Sequence, residues 1–327
     1  MLPQIRTMLS SSRALAAGLA LLAAAAGAQQ TAPTASSFIT LGTQSGPIAN
    51  PRRSQPANLL LWRDQAILID AGDGVAEQLA KGGVPLAAVH TIFLSHLHID
   101  HTGGLFALLG MHSQTLMPGT LTIYGPPGTR RLVDGLVAAL QPLSEVGIGI
   151  PGSPRRAPDA GITVEEISDG SRVVLGDVTV IAARNSHYSY PEGSPEAARF
   201  QSLAFRFDLP DRSIAYTGDT GPSANVERLA HNVDLLVSEV VDPEGLMAVL
   251  ARMRPDLSPA MVEVSRRHMF EQHLTASAAG QLARHAGARR LVLTHVGSVN
   301  PDPEPIRAGA AAAFGGPVTV AADLERF

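Results

Sequence analysis

Directly after the apolar run Thr91 to Leu94 comes Ser95-His96-Leu97-His98-Ile99-Asp100-His101-Thr102-Gly103-Gly104, which crowds three of the chain's 11 histidines and one aspartate into six positions. A lone histidine is more often a satisfied core or surface residue. Four ligand-type side chains at a strand end are different, because the irregular backbone that follows can turn several donors toward one point, where they converge on a cation at about 2.0–2.2 Å. The donors suffice for two metals. Whatever this chain folds into must present the end of a buried strand at an accessible rim.

Strand-length β-branched or aliphatic runs recur at Phe38 to Leu41, Leu59 to Trp62, Ala66 to Asp70, Thr91 to Ser95, Leu121 to Tyr124, Val178 to Ala182, Leu203 to Phe207, Ser213 to Thr217, Leu235 to Glu239 and Arg290 to Thr294. Helical spacing appears at Gly74 to Lys81, Pro126 to Leu140, Ser223 to Ala230, Pro259 to His268, Thr275 to Ala286 and Pro303 to Phe314. The early strands follow one another as hairpins do and the later ones alternate with helices. That order suits two sheets packed face to face with helices outside, and fits a parallel doubly wound sheet less well. The Pro/Gly-rich stretch Gly147 to Gly161 reads as a surface loop inside one domain.

The 327 residues contain no Cys, which removes disulfides, thiolate ligands and a cysteine nucleophile together. Lys81 is the only lysine and Gly82 follows it, so no GxxxxGK[ST] phosphate loop exists. Met1 to Arg13 carries two Arg and no acid, Ala14 to Ala25 is small and apolar, and Ala26-Gly27-Ala28 has the form signal peptidases cut. Residues 1–28 are therefore read as a signal peptide cleaved after Ala28, 29–37 as a flexible leader, and 38–327 as the folded domain. A membrane anchor would need about 20 strongly apolar residues, so none is expected in the mature form. The expected location is the periplasm or outside the cell. The formal charge of −4 becomes −6 without Arg6 and Arg13.

The H-x-H-x-D-H stretch resembles the signature of the metallo-β-lactamase-fold hydrolases. The resemblance implies an α/β fold, a four-layer αββα sandwich, with a metal pair at the sheet edge and further ligands after later strands. Each has a match: His187 in Asn185-Ser186-His187-Tyr188, Asp219 in Thr217-Gly218-Asp219-Thr220 and His295 in Leu293-Thr294-His295. By this match His96, His98 and His187 hold one metal, Asp100, His101 and His295 the other, and Asp219 bridges them. Zinc is the expected ion. Asp70 matches a carboxylate that orients a ligating imidazole, although a turn Asp before Gly72 explains it equally well. His90, His112, His231, His268 and His285 match no motif position and are expected at the surface or at helix ends.

Class-defining β-lactamases of this fold lack a bridging aspartate and many use Cys, whereas this chain has Asp219 and no Cys. The fuller resemblance is to the ribonuclease Z and arylsulfatase-like branch, through Leu41-Gly42-Thr43, Leu121 to Pro126 with Gly128-Thr129, Tyr216 to Thr220, Leu236 to Glu239 and His273-Leu274-Thr275. It implies catalytic roles for Asp100, His273 and Glu239, with His273 touching the scissile group and Glu239 holding it; Ser238 and Val240 replace the His and Ala neighbours usual there. Ribonuclease Z proteins carry a long arm after the ligand matched by His187, and only Tyr188 to Gln201 is available for one. A secreted, acidic protein with that short segment is expected to have no nucleic-acid partner. The resulting expectation is a secreted dinuclear hydrolase that cleaves phosphodiester or sulfate esters of small molecules by attack of a metal-bridging hydroxide. A lactonase of the same fold and a non-catalytic periplasmic metal-binding protein are the alternatives, and a homodimer is left open.

Cell fractionation should recover a product starting near Gln29 outside the cytoplasm. Recovery of the intact Met1 form in the cytosol would defeat the signal-peptide reading.

Overall fold

The computed structural model describes residues 35–327. The expected signal peptide and residues 29–34 of the leader lie outside the described residues. Fourteen strands follow: β1 (Ser37–Gly42), β2 (Ala57–Trp62), β3 (Gln65–Ile69), β4 (Val89–Phe93), β5 (Leu121–Gly125), β6 (Ile162–Glu166), β7 (Arg172–Leu175), β8 (Val178–Arg184), β9 (Leu203–Asp208), β10 (Ser213–Tyr216), β11 (Leu235–Val241), β12 (Leu291–Gly297), β13 (Val318–Val320) and β14 (Glu325–Arg326). The helices are α1 (Val75–Lys81), α2 (Ile99–Thr102), α3 (Leu105–Gln114), α4 (Thr129–Val146), α5 (Pro195–Arg199), α6 (Ala224–Leu229), α7 (Pro243–Met253), α8 (Pro259–Glu271), α9 (Ala276–Ala286) and α10 (Glu304–Phe314). Two seven-stranded sheets result, ordered β14-β1-β2-β3-β4-β5-β6 and β13-β12-β11-β10-β9-β8-β7. Among the described residues no helix is long and apolar enough to cross a membrane.

The period-two alternation of each strand sorts its side chains into separate apolar layers. In β3, Ile67 and Ile69 face the opposite sheet while Ala66 and Leu68 face the helices. In β11, Leu235 and Val237 point between the sheets and Leu236 and Val240 point outward. The middle layer holds Phe38, Trp62, Phe93, Phe205, Phe207 and Tyr216. One outer layer is closed by α1, α3 and α4 through Val75, Leu79, Leu105, Leu108, Leu109, Val133 and Leu140. The other is closed by α6, α9 and α10; the buried positions of α9, Ala279, Leu282, Ala283 and Ala286, have the i, i+3, i+4, i+7 spacing of one helix face. Helices on both outer faces of two stacked sheets make the four-layer αββα sandwich expected of the sequence.

Boundaries moved where turn chemistry or an edge position competed with the apolar pattern. Thr275 caps α9 by accepting from the Ala278 N–H at 3.2 Å, so the helix starts one residue later than its pattern. β6, β7, β13 and β14 escape the sequence reading because they are edge or edge-proximal strands whose side chains are half exposed and carry little alternation. α7 also escaped it; Pro243 is its only buried residue.

Phe93 anchors the middle layer: it stacks on Tyr124 at 4.8 Å and meets Phe205 and Phe207 edge-on at 5.4 and 5.9 Å. Phe93→Ala should cost about 3–5 kcal/mol, the range for a large buried aromatic whose cavity cannot collapse, read as a lowered denaturant midpoint. A loss below about 1 kcal/mol would contradict this description of the core.

Candidate metal centre

Three strand ends and one strand bulge deliver the polar residues to one rim. β4 runs into Ser95 to His98 and α2, β8 into Asn185-Ser186-His187, and β10 into Thr217-Gly218-Asp219, where Gly218 takes a left-handed φ of 57°. His295 does not follow the end of its strand, as the sequence pattern suggested. β12 continues to Gly297, and the register against β11 slips so that Glu239 pairs with Thr294 and Val240 with Val296. His295 is the unpaired residue of a bulge, at φ 47°, which re-aims its side chain into the rim.

All seven residues expected as ligands come together. Ligand atoms of His96, His98 and His187 form one group and those of Asp100, His101, Asp219 and His295 another, each group lying within 4.8 Å. Asp219 faces both: Oδ2 is 3.8 Å from His96 Nε2, 3.9 Å from His187 Nε2 and 3.2 Å from His295 Nε2, while Oδ1 is 3.3 Å from His101 Nε2. Asp100 Oδ2 lies 3.5 Å from both His101 Nε2 and His295 Nε2. A Cβ on Gly46 would overlap the Asp100 side chain, so the loop after β1 can lean on that carboxylate only with glycine there.

Hydrogen bonds behind the rings dictate their tautomers. Asp70, fully buried at φ 61°, accepts from Ser95 N, Ser95 Oγ, Tyr216 OH and His101 Nδ1 at 2.7–2.8 Å. Orienting an imidazole is therefore what Asp70 does, and the turn explanation alone falls short. Ser95 Oγ spends its hydrogen on Asp70, so at 3.0 Å it accepts from His96 Nδ1. His187 Nδ1 donates to the Gln272 carbonyl at 3.0 Å. His96 and His101 thus keep a bare Nε2 lone pair facing the rim, while His187 Nε2 accepts from His98 Nδ1 at 3.1 Å.

These atoms fit metal ions. His96 Nε2, His101 Nε2, Asp219 Oδ1 and both ring nitrogens of His295 are buried without a hydrogen-bond partner, a cost that protein interiors rarely accept. Asp70, Asp100, Asp219 and Glu239 are all buried, and among the described residues their only ion-pair partners are histidines. Burial drives His96 and His187 well below the usual imidazole range, which suits neutral ligands. Burial would raise Asp100, yet His101 and His295 hold it down at about 2.

Beside the seven, Glu239 accepts from Thr220 N and lies 2.7 Å from His273 Nδ1. Burial opposes charge on His273, but the Glu239 carboxylate outweighs it and pushes the ring up to about 9. Both residues expected here are therefore in contact. Of the histidines without a motif, His90, His231 and His285 are exposed. His112 sits in the last turn of α3 but is buried. His268 lies in the last turn of α8, a helix end as expected, but it is half-buried, with Nε2 3.4 Å from His273 Nε2 and its ring 5.4 Å from that of His187. Its five-residue distance from His273 was the only sequence signal.

The Beta-lactamase superfamily domain matches residues 65–296. This chain belongs to the metallo-β-lactamase superfamily. Within the superfamily it is 31% identical over 291 residues to Ribonuclease Z of Mycobacterium avium, covering 88% of this chain and 95% of that one. Of solved structures with the fold, the metallo-β-lactamase fold protein YhfI from Bacillus subtilis aligns with a TM-score of 0.63 at 22% identity over 89% of this chain and 98% of its own. Human tRNase Z, short form, aligns at 0.61 with the same identity and coverage. As a superfamily member of the ribonuclease Z kind, the chain is a hydrolase of this fold. The comparison corrects one expectation, that nucleic acid is no partner: relatives this similar are named for cleaving RNA.

After reloading with zinc, elemental analysis should find two metals per chain. His96→Ala should lose mainly one and Asp219→Ala should loosen both; one ion or fewer in the wild type would count against the shared-carboxylate geometry.

Proposed function

We propose that this superfamily member is a two-metal phosphodiesterase, with His96, His98 and His187 holding one ion, Asp100, His101 and His295 the other, and Asp219 shared. The observation that carries the reading is the Glu239–His273 pair. It supplies an imidazole outside the seven ligands, fixed by a buried carboxylate, whose ring lies 4.9 Å from that of His187 and which falls in one donor group with His187 and Asp219. Similarity to enzymes named Ribonuclease Z supports a phosphoryl centre. Zinc suits a set of imidazoles with two carboxylates.

Two such ions, when bound, would lower the pKa of a shared water and clamp the ester oxygens. The chain's own residues orient and protonate. Asp70, Ser95 and the Gln272 carbonyl hold His101, His96 and His187 with their lone pairs inward. Glu239 keeps a proton on His273 Nδ1 and stabilises the charged ring, so Nε2–H can be given to the departing oxygen. Sulfate esters would call on the same parts, and so would a lactone carbonyl. A panel of bis-nitrophenyl phosphate, a cyclic nucleotide, a short RNA, nitrophenyl sulfate and an acyl lactone separates these, with chelator-sensitive turnover expected on the phosphodiesters. Turnover of the lactone alone would overturn the reading, and full metal occupancy without any turnover would favour a metal-binding protein.

His273→Ala should keep both metals and lower phosphodiester turnover by roughly 10²–10⁴. The loss should be larger for an alkoxide leaving group than for a nitrophenolate, which departs without a proton. Equal losses would make His273 a substrate-positioning residue.

A further inference from the structure

Between β11 and α9 the chain leaves the sandwich as a helical hairpin, α7 followed by α8. The hairpin adds almost nothing to the core: Pro243 is the only buried residue of α7 and α8 has none. Ser258 caps α8 by accepting from the Met261 N–H and Pro259 starts its first turn, so the helix is built deliberately despite its exposure. Its C-terminal end is moored to the metal rim. The Gln272 carbonyl accepts from His187 Nδ1, Gln272 Nε2 donates to Ser189 Oγ at 2.5 Å, and the Glu271 carbonyl presses on Gly221, where a Cβ would clash.

The last turn of this helix carries His268 over the site. Its Nδ1 is 2.6 Å from Gln272 Oε1, which can only accept, so Nδ1 carries the hydrogen. Its Nε2 is therefore turned toward His273 Nε2, 3.4 Å away. The His268 ring stands 6.4 Å from His98, 5.4 Å from His187 and 4.9 Å from His273, yet it belongs to none of the donor groups that could hold a metal. It is thus an imidazole aimed at the reacting space and not engaged as a ligand.

We propose that His268 and His273 form a two-imidazole clamp that receives two oxygens of a tetrahedral phosphoryl group above the metal pair. The proposal rests on the phosphodiesterase reading and narrows it. Two nitrogens side by side match neighbouring oxygens of one tetrahedral centre; a planar carboxylic ester has only one oxygen developing charge and one leaving. In the free protein His273 Nε2–H donates to His268 Nε2 across 3.4 Å. As the phosphoryl group enters, His273 donates to one of its oxygens, and the Gln272 amide turns so that Oε1 accepts from Ser189 and Nε2 donates to His268 Nδ1, which leaves the His268 hydrogen on Nε2 for a second oxygen. The hairpin then contributes to substrate selection what it does not contribute to the core.

The test uses zinc-loaded full-length protein and inorganic phosphate as the probe. His268→Ala should retain both metals and its thermal midpoint, while phosphate affinity by calorimetry falls about 10-fold or more, the weight of a hydrogen bond to a charged group. kcat/KM for bis-nitrophenyl phosphate should fall by a similar factor, hydrolysis of nitrophenyl acetate should change less than about 2-fold, and His268→Gln, which restores a donor near the Nε2 position, should recover part of the loss. Equal losses on both esters, or loss of a metal, would overturn the clamp and make His268 a support for the ligands. Unchanged phosphate affinity would overturn it too, with the phosphodiesterase reading intact. If phosphate binding depends on His268 but the wild type hydrolyses only the carboxylic ester, the clamp stands and the phosphodiesterase reading falls.

Discussion

The concentration of buried negative charge at one sheet rim sets the terms for the rest of the molecule. Asp70, Asp100, Asp219 and Glu239 are withdrawn from water with imidazoles as their only ion-pair partners among the described residues. An uncompensated buried carboxylate costs several kcal/mol, and an imidazole offsets this only when it holds a proton. At His96 and His187 burial works against that proton, and at His101 three carboxylates work for it. The same residues cannot be neutral ligands and cationic partners at once. A divalent ion on each side of Asp219 would resolve the conflict, and by the same linkage metal binding would become part of folding stability.

The scaffold can carry such a rim because its stability is generated elsewhere. The three apolar layers lie along the strands and under the helices, away from the strand ends that bear ligands. Two of the six non-glycine residues with positive φ among the described residues sit at the rim. Asp70 and His295 both take left-handed backbone, each at a cost of order 1–3 kcal/mol, and each is over-determined: Asp70 by four donors, His295 by the bulge between β11 and β12. Moving either residue to an ordinary φ would turn its side chain away from the partner it serves.

The layered architecture was legible because period-two runs and one clean helical face are local signals, and His96, His98, Asp100 and His101 because such a cluster at a strand end is costly unless it acts together; His187, Asp219 and His295 were reached only through the resemblance to the metallo-β-lactamase-fold signature. Asp70 was half legible. The sequence places it before Gly72 at a turn, and only the fold shows Ser95, His101 and Tyr216 converging on its oxygens. His295 does reach the rim, but from a bulge and not from the end of a strand, since nothing in Leu293-Thr294-His295 announces a bulge. His268 was missed because its position depends on where a hairpin folds back, which no local pattern encodes. The exclusion of nucleic acid failed in a different way: it rested on an acidic, secreted chain and on the length of Tyr188 to Gln201, none of which bears on the reaction, and relatives named Ribonuclease Z overturn it.

The rim and the segments around it differ in how tightly they are held. The rim is made of strand ends and their immediate turns, locked from behind by Ser95, Asp70 and the Gln272 carbonyl, and a change there displaces a ligand. The excursions around it are under no such constraint. Here the segment after His187 is short, with α5 and the aromatic contacts of Tyr188 on His96 and His98 and of Tyr190 on Phe200. The long excursion instead leaves between β11 and α9 and returns through Gln272, whose backbone holds a ligand while its side chain holds His268. One residue thereby couples the rim to the hairpin. Substrate preference can diverge through the hairpin without moving a ligand, as long as the chain comes back to the rim at that carbonyl.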